Sequence, residues 1–293
     1  MTSLRTLLVL ARASNLPTVW TNCLAGWMLG GGEFYGDALF RFLQLCAGAT
    51  FLYTGGMYLN DAFDSDFDQQ HRRERPIPSG AISRRAVWIW GLSWLVLGTV
   101  MLLWFGQPTA TYVLLLLTSI LIYDAIHKLI AFSPLLMAAC RFFLYLTAAS
   151  ATPAGVNGLV LWSAMVLAAY VIGLSYLARK ESVRVQFERW PAILVASPIV
   201  LALVVNNREF RIAGMAMCFV VSAWILLALR HTLGRVDPVI GRTVGSLLAG
   251  IALVDWLAVG WVFVDGRPPE VWAGVFALLF VTARLFQRFI PAT

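Results

Sequence analysis

Apolar residues fill this chain in long blocks, separated by short polar clusters, and each block approaches the length of a membrane-crossing helix, roughly 17–25 residues. The blocks fall at 16–32, 38–60, 84–106, 108–126, 132–152, 157–178, 190–206, 211–231, 244–264 and 268–289. Each is predicted as a helix, because lipid forces every backbone polar group to find its partner within the segment. Ten crossings follow; Arg284 and Arg288 interrupt the last block near its end, so nine is the alternative. Residues 2–12, broken by Arg5 and Arg12, read as a short amphipathic helix lying in the interface. They do not read as a cleaved leader.

Composition agrees with the pattern. The chain is 60% apolar and 13% charged, with mean hydropathy +0.77. Soluble domains carry roughly 45–50% apolar and about 25% charged residues. A soluble α/β enzyme, a disordered chain and a collagen are therefore excluded. The predicted fold class is an all-α, polytopic membrane helical bundle forming a single integral-membrane domain over residues 1–293.

The net charge of +7 changes the picture once its placement is followed. With the N-terminus inside, Arg5, Arg12, Arg72, Arg73, Arg75, Arg84, Arg85, Lys128, Arg179, Lys180, Arg184, Arg189, Arg230, Arg235, Arg242, Arg284 and Arg288 share the inner face. Only Arg41, Arg208, Arg211 and Arg267 lie outside, and Arg141 lies within a span. That asymmetry satisfies the positive-inside rule. It points to a multi-pass protein of a bacterial inner membrane with its N-terminus cytoplasmic, and away from nucleic acid. Cys23, Cys46, Cys140 and Cys218 lie in spans without CxxC spacing and read as small buried hydrophobes. His71, His127 and His231 fall in separate inner turns, which does not suggest zinc.

Four of the fifteen acidic residues lie between Asp61 and Asp68. If the second span continues as a helix, Asn60, Asp64 and Asp68 follow at i, i+4 and i+8, with Asp61 bordering their face. Carboxylates on one face repel one another unless a cation sits between them. Oxygen-only ligands with open geometry suit Mg²⁺, which fills its remaining positions with water and phosphate oxygens. A calcium loop is excluded, because Gln69 replaces the turn glycine and Arg75 the bidentate glutamate. The run His71-Arg72-Arg73-Glu74-Arg75-Pro76-Ile77-Pro78-Ser79-Gly80 follows directly. Acidic metal ligands beside guanidinium groups are what a diphosphate needs.

Asn60-Asp61-x-x-Asp64-x-x-x-Asp68 followed by Arg75-Pro76-Ile77-Pro78-Ser79-Gly80 resembles the first signature of the UbiA superfamily of intramembrane prenyltransferases. Arg12-x-x-Asn15-x-Pro17 resembles its N-terminal opening, and Tyr123, Lys128 and Pro134 its signature between spans four and five, one residue longer than that pattern. Tyr123-Asp124-x-x-His127-Lys128 and Leu174-Ser175-Tyr176-x-Ala178-Arg179-Lys180-Glu181 resemble the Ebo-type branch. The resemblance implies a lipid-open cavity near the inner face, and Mg²⁺-dependent transfer of a prenyl group from an isoprenyl diphosphate donor to an aromatic or other lipophilic acceptor within the bilayer. It assigns Asn60, Asp64 and Asp68 to the metal, with Asp61 and Glu181 as further candidates. It assigns Asn60, Arg72, Arg73 and Lys128 to the diphosphate, and Arg179 and Lys180 are added as diphosphate candidates from the basic turn after span six. Asp64, Asp68, Lys128 and Tyr123 are the expected catalytic residues.

The chain departs from that pattern in the turn after span six, which holds no aspartate and reads Ser175-Tyr176-Leu177-Ala178-Arg179-Lys180-Glu181. Arg179, Lys180 and Arg184 either contact the diphosphate in place of a second metal or form an ordinary positive inner turn. The alternative function is therefore binding or translocation of a phosphorylated prenyl lipid without transfer. Arg141 and Asp255 are charges within hydrocarbon, expected to face a cavity or each other. Asp124, four residues before Lys128, is expected to pair with it. Tyr176 is a second aromatic candidate after Tyr123, and the small residues of 245–250 suit close helix packing.

Overall fold

The computed structural model describes residues 3–179, 190–200, 211–230, 232, 240–260 and 269–292. Among these the chain is helical. A short α1 (Leu4–Leu10) is capped by the Ser3 hydroxyl, which accepts from the Thr6 amide. A 3₁₀ turn at Ala13–Asn15 leads into α2 (Leu16–Leu29). Then come α3 (Gly36–His71), α4 (Arg84–Leu103), α5 (Thr109–Ile126), α6 (Ser133–Ser150) and α7 (Gly158–Arg179). The chain continues through α8 (Trp190–Val195), α9 (Arg211–Leu229), α10 (Ile240–Val259) and α11 (Pro269–Phe286).

Each apolar block predicted from the sequence carries a helix, but the helices are not equally long. By length and hydropathy, five of the described helices can cross a membrane: α4, α5, α6, α7 and α10. The 14-residue α2 falls short of the usual spanning length, and α3 dilutes its apolar stretch with Arg41, Gln44 and several glycines.

The outer faces confirm the solvent these helices meet. Ile89, Trp90, Val96, Leu114, Phe219 and Leu278 are all exposed, where a helix in water would present polar residues. Inside, α2 is buried along almost its whole length and packs against α3, α6, α10 and α11. With α6 it forms the wall between two apolar cores. One core gathers Val19, Leu52, Leu116 and Leu144; the other gathers Leu167, Tyr170, Leu247 and Phe276.

The pair that matters most for the site is α3 with α4. A Cβ on Gly98 would lie 2.8 Å from the Gly48 carbonyl, and one on Gly55 2.8 Å from the Gly91 carbonyl. The two backbones therefore approach to a distance that only glycine permits, which is how small residues drive helix packing in lipid. This close seam fixes α3 while its last turns run on past it to His71.

Candidate active site

The helix α3 is unbroken from Gly36 to His71, so Asn60, Asp64 and Asp68 do rise along one face, one turn apart. That face meets the end of α5 across a cavity of about 570 Å³. The polar end of the cavity is lined by Arg12, Asn60, Asp64, Arg72, Arg75 and Lys128, with Arg179 at its edge. The apolar end runs between α2, α3, α5 and α6 over Val19, Ala49, Leu52, Leu116, Ile120 and Leu144. Cations outnumber carboxylates in the lining, where only Asp64 and Asp124 carry acid groups. The polar end is thus built to take a multiply charged anion.

Asp64 is the hub. Its Oδ1 lies 2.8 Å from the Lys128 ammonium and 3.4 Å from His127 Nε2. Burial works against its charge, but the hydrogen bonds from His127 and Lys128 prevail and hold the carboxyl below its usual range. The Lys128 ammonium also sits 3.9 Å from the centre of the Phe67 ring, an added cation–π restraint. Tyr123 stacks on His127 with ring centres 4.9 Å apart and lines the cavity.

Asn60 uses both ends of its amide. Its Oδ1 accepts from Arg12 at 3.1 Å and its Nδ2 donates to Asp124 Oδ1 at 3.3 Å. Asp61 Oδ1 takes Arg12 and Arg75, each at 3.3 Å. Asp61 therefore anchors two arginines through one carboxylate oxygen. Burial opposes the charge of Arg12, yet the adjacent Asp61 carboxylate leaves its guanidinium held above the ordinary value. For Arg75 burial wins, with Arg12 adding repulsion, and the value falls. Arg12 is also the one non-glycine residue at positive φ (43°) among those described. Strained backbone of this kind persists where its surroundings over-determine it; here the side chain is fixed on Asn60 and Asp61 while Tyr53 donates to its carbonyl at 3.4 Å.

The remaining predicted residues divide. Asp68 is buried but stands outside the cavity lining, and desolvation raises its carboxyl above the ordinary value. Arg72 and Arg179 line the cavity, and Arg179 donates to the Ala131 carbonyl across the gap between α7 and α6. Arg73 does not reach the site: it is exposed, and its Nε donates back to the Gln69 carbonyl at 3.3 Å. Tyr176 packs edge-on against Trp190, 4.7 Å between centres, leaving Ser175 to line the cavity. Lys180, Glu181 and Arg184 lie outside the described residues.

One pairing expected from spacing is corrected, and of the two alternatives for Arg141 the structure has it facing the cavity. Asp124 does not pair with Lys128, because α5 ends at Ile126; Lys128 lies past the helix and turns to Asp64, while Asp124 turns to Asn60. Arg141 and Asp255 do not touch each other. Asn22 bridges them, accepting from Arg141 at 2.7 Å and donating to Asp255 at 2.7 Å. Arg12, Arg75, His127 and Asp124 are site residues that sequence reasoning did not assign. Their signals were present in the Arg12-x-x-Asn15 opening, the Arg75-Pro76 run and the neighbours of Tyr123 and Lys128, but spacing alone did not show which way each faces.

Mg²⁺ can be tested against these donors. Asn60, Asp64 and Asp68 offer oxygen only, and both cations bound to Asp64 sit on Oδ1. Among the described residues no three acidic, histidine or cysteine side chains close on a common point. Asp64 in the cavity offers the oxygen donor that Mg²⁺ takes together with water and phosphate oxygens, whereas Asp68 stands outside the lining and Asn60 Oδ1 already accepts from Arg12.

Comparison with known proteins places this arrangement. Residues 18–236 match the UbiA prenyltransferase family. The chain is 34% identical over 124 residues to a digeranylgeranylglyceryl phosphate synthase of Methanothrix thermoacetophila, 41% of this chain and 44% of the relative. It is 38% identical over 105 residues to a protoheme IX farnesyltransferase of Chloroflexus aurantiacus, 35% of this chain and 14% of that one. These matches span less than half the length of either relative. The fold is similar to that of a UbiA homologue from Archaeoglobus fulgidus bound to GPP and Mg²⁺, with TM-score 0.64 at 15% identity over 95% of this chain and 99% of that one. The family match covers well over half of the sequence and takes in the Asn60–Asp68 face and Lys128, and the chain belongs to the UbiA prenyltransferase family.

Proposed function

We propose that this protein transfers a prenyl group from an isoprenyl diphosphate to a lipophilic acceptor within the membrane. The observation that carries this reading is the two-ended cavity. A cation-rich rim around Asp64 and Lys128 opens into an apolar channel between α2, α3, α5 and α6, and the two ends match the head and tail of one prenyl diphosphate. Lys128, Arg72, Arg75 and Arg12 hold diphosphate oxygens, with Arg12 and Arg75 kept in place by Asp61. Asn60 and Asp64 in the cavity, with Asp68 one turn further on, would hold Mg²⁺, which would neutralise phosphate charge and favour departure of the diphosphate.

The C1–O bond of the donor breaks, its electron pair leaves with the diphosphate, and the acceptor's nucleophilic atom bonds to C1 and then gives up its proton. Fixed positive charge at the leaving group is the main source of rate, because ionisation is the difficult step. Tyr53 and Tyr123, both in the lining, put aromatic faces beside the allylic cation, and the surrounding apolar wall keeps water from capturing it. The orientation that suits this chemistry places the N-terminus and the cationic rim on the inner face of the membrane.

The test is pyrophosphate release from a panel of isoprenyl diphosphates with Mg²⁺, in wild type and in the Asp64→Asn, Asp68→Asn double variant. Release that depends on the aspartates supports the enzyme. Donor binding without release in either protein supports the second reading, a lipid-diphosphate binding or translocating protein. That reading is favoured by the end of α7, where Arg179 lines the cavity and the sequence that follows holds no aspartate motif.

A further inference from the structure

Three arginines gather where α9, α10 and the end of α11 meet, outside the lining of the central cavity. Arg284, in the last turn of α11, is half-buried. Its guanidinium carbon lies 5.4 Å from the centre of the Trp224 ring on α9, and its Nη1 donates to Gln287 Oε1 at 2.7 Å. Gln287 donates in turn through Nε2 to the Gly245 carbonyl on α10 at 2.9 Å, so Arg284 is held to both neighbouring helices. Trp224 is fixed as well. Its Nε1 donates to the Ser246 carbonyl at 2.9 Å, and Phe280 packs edge-on against its ring. Arg242, one turn before Ser246, and Arg288, four residues beyond Arg284, are both exposed and close enough to Arg284 to repel its charge.

Like charges brought together need a counter-charge, and the described residues supply none. Every ion pair among them involves Arg12, Arg75, Arg84, His127 or Lys128. Arg284 spends one N–H on the neutral Gln287, and its other donors find no acceptor among the described residues. None of its nitrogens belongs to the fully buried unpartnered atoms, so those donors are reachable from outside. An ordinary basic turn spreads its side chains into water. Here a guanidinium is drawn half out of water over an aromatic ring, where an unmet charge costs more.

The surface alongside is apolar. Leu278, Val281 and Leu285 recur at helical spacing along α11 and are exposed, and Phe289 beyond them is 73% exposed. We propose that Arg242, Arg284 and Arg288 bind a phospholipid whose headgroup presents two phosphate groups, with its acyl chains along Leu278, Val281 and Leu285. Three guanidiniums exceed the charge of one phosphodiester and come closer to matching two, and each planar fork takes two phosphate oxygens. Basic pockets between membrane helices recognise such headgroups. The site is distinct from the candidate active site but braces its wall. Gly245, which Gln287 holds, follows Val244 of the cavity lining, so the occupied site ties α10 and α11 together and stabilises the folded protein.

The test is native mass spectrometry and thermal melting of the full-length protein in detergent. Tetraoleoyl cardiolipin is the two-phosphate probe, with phosphatidylglycerol at equal total phosphate and phosphatidylcholine as comparisons. Wild type is set against the triple variant Arg242→Gln, Arg284→Gln, Arg288→Gln. A control, Arg5→Gln, Arg73→Gln, Arg85→Gln, removes three exposed charges elsewhere. Wild type is expected to bind cardiolipin at least about tenfold more tightly than phosphatidylglycerol and to melt at a higher temperature with it. The triple variant should lose both effects, and the control should stay within about twofold of wild type. Equal loss in the two variants would mean general surface charge and overturns the site. So does a wild type that binds the two anionic lipids alike. If the triple variant does not fold, the exposed pair Arg242→Gln, Arg288→Gln decides: a loss of about threefold or more supports the site, and full affinity overturns it. Displacement of cardiolipin by geranyl diphosphate overturns the assignment to a phospholipid.

Discussion

Asp64 receives both Lys128 and His127 on a single oxygen, so its removal affects three groups at once. Asp64→Asn is expected to lower pyrophosphate release by about a hundredfold or more, because fixed charge at the leaving group is lost and Lys128 loses its anchor. The same contacts make stability depend on pH. The Asp64 carboxyl is held below its usual range in the folded state, so its stabilisation is complete above the ordinary carboxylate value of about 3.9 and is lost as pH falls through the lower folded value. Melting curves in chelator should show that acid-side loss in wild type and a weaker one in Asp64→Asn. Asp61 predicts a different signature. Asp61→Ala leaves Arg12 and Arg75 without their shared partner, and is expected to cost on the order of 2 kcal/mol in unfolding free energy and to weaken donor binding. Arg73→Ala, by contrast, should leave donor affinity unchanged, since Arg73 bonds back to its own helix.

At the scale of elements, the decisive pairing is α3 with α4. The register of Asn60, Asp64 and Asp68 was legible in the sequence, because a four-residue spacing on a continuous helix places them on one face. How firmly that face is held was not legible, since it depends on Gly48, Gly55, Gly91 and Gly98 meeting across the seam. Gly98→Leu would place a Cβ 2.8 Å from the Gly48 carbonyl and 2.9 Å from the Leu52 amide. Both are backbone atoms, so the helices must separate. The expected loss is about 1–3 kcal/mol, read as a lower melting temperature together with weaker donor binding. The Asp124–Lys128 pair failed for a related reason: a spacing of four makes neighbours only while the helix continues, and α5 stops between them.

For the molecule as a whole, the basic residues Arg12, Arg72, Arg75, Lys128 and Arg179 line one cavity, and the proposed orientation puts its cationic rim on the inner face. The turn at Ser79 and Gly80 is exposed, so Ser79→Cys is expected to react with a membrane-impermeant thiol reagent only when the inner face is accessible. Labelling from the outside alone would reverse the proposed orientation. What the sequence by itself determined is what contiguous residues carry: apolar blocks that become helices and one acidic face with its family signature. The tertiary structure alone decided which distant residues meet. It turned Lys128 to Asp64 and Asp124 to Asn60, made Asp61 the counter-ion of Arg12 and Arg75, left Arg73 outside the site, and joined Arg141 to Asp255 through Asn22. Hydropathy and periodicity are properties of a segment, whereas these partners come from different helices or from beyond a helix end, and only side-chain packing selects among the charges available to each.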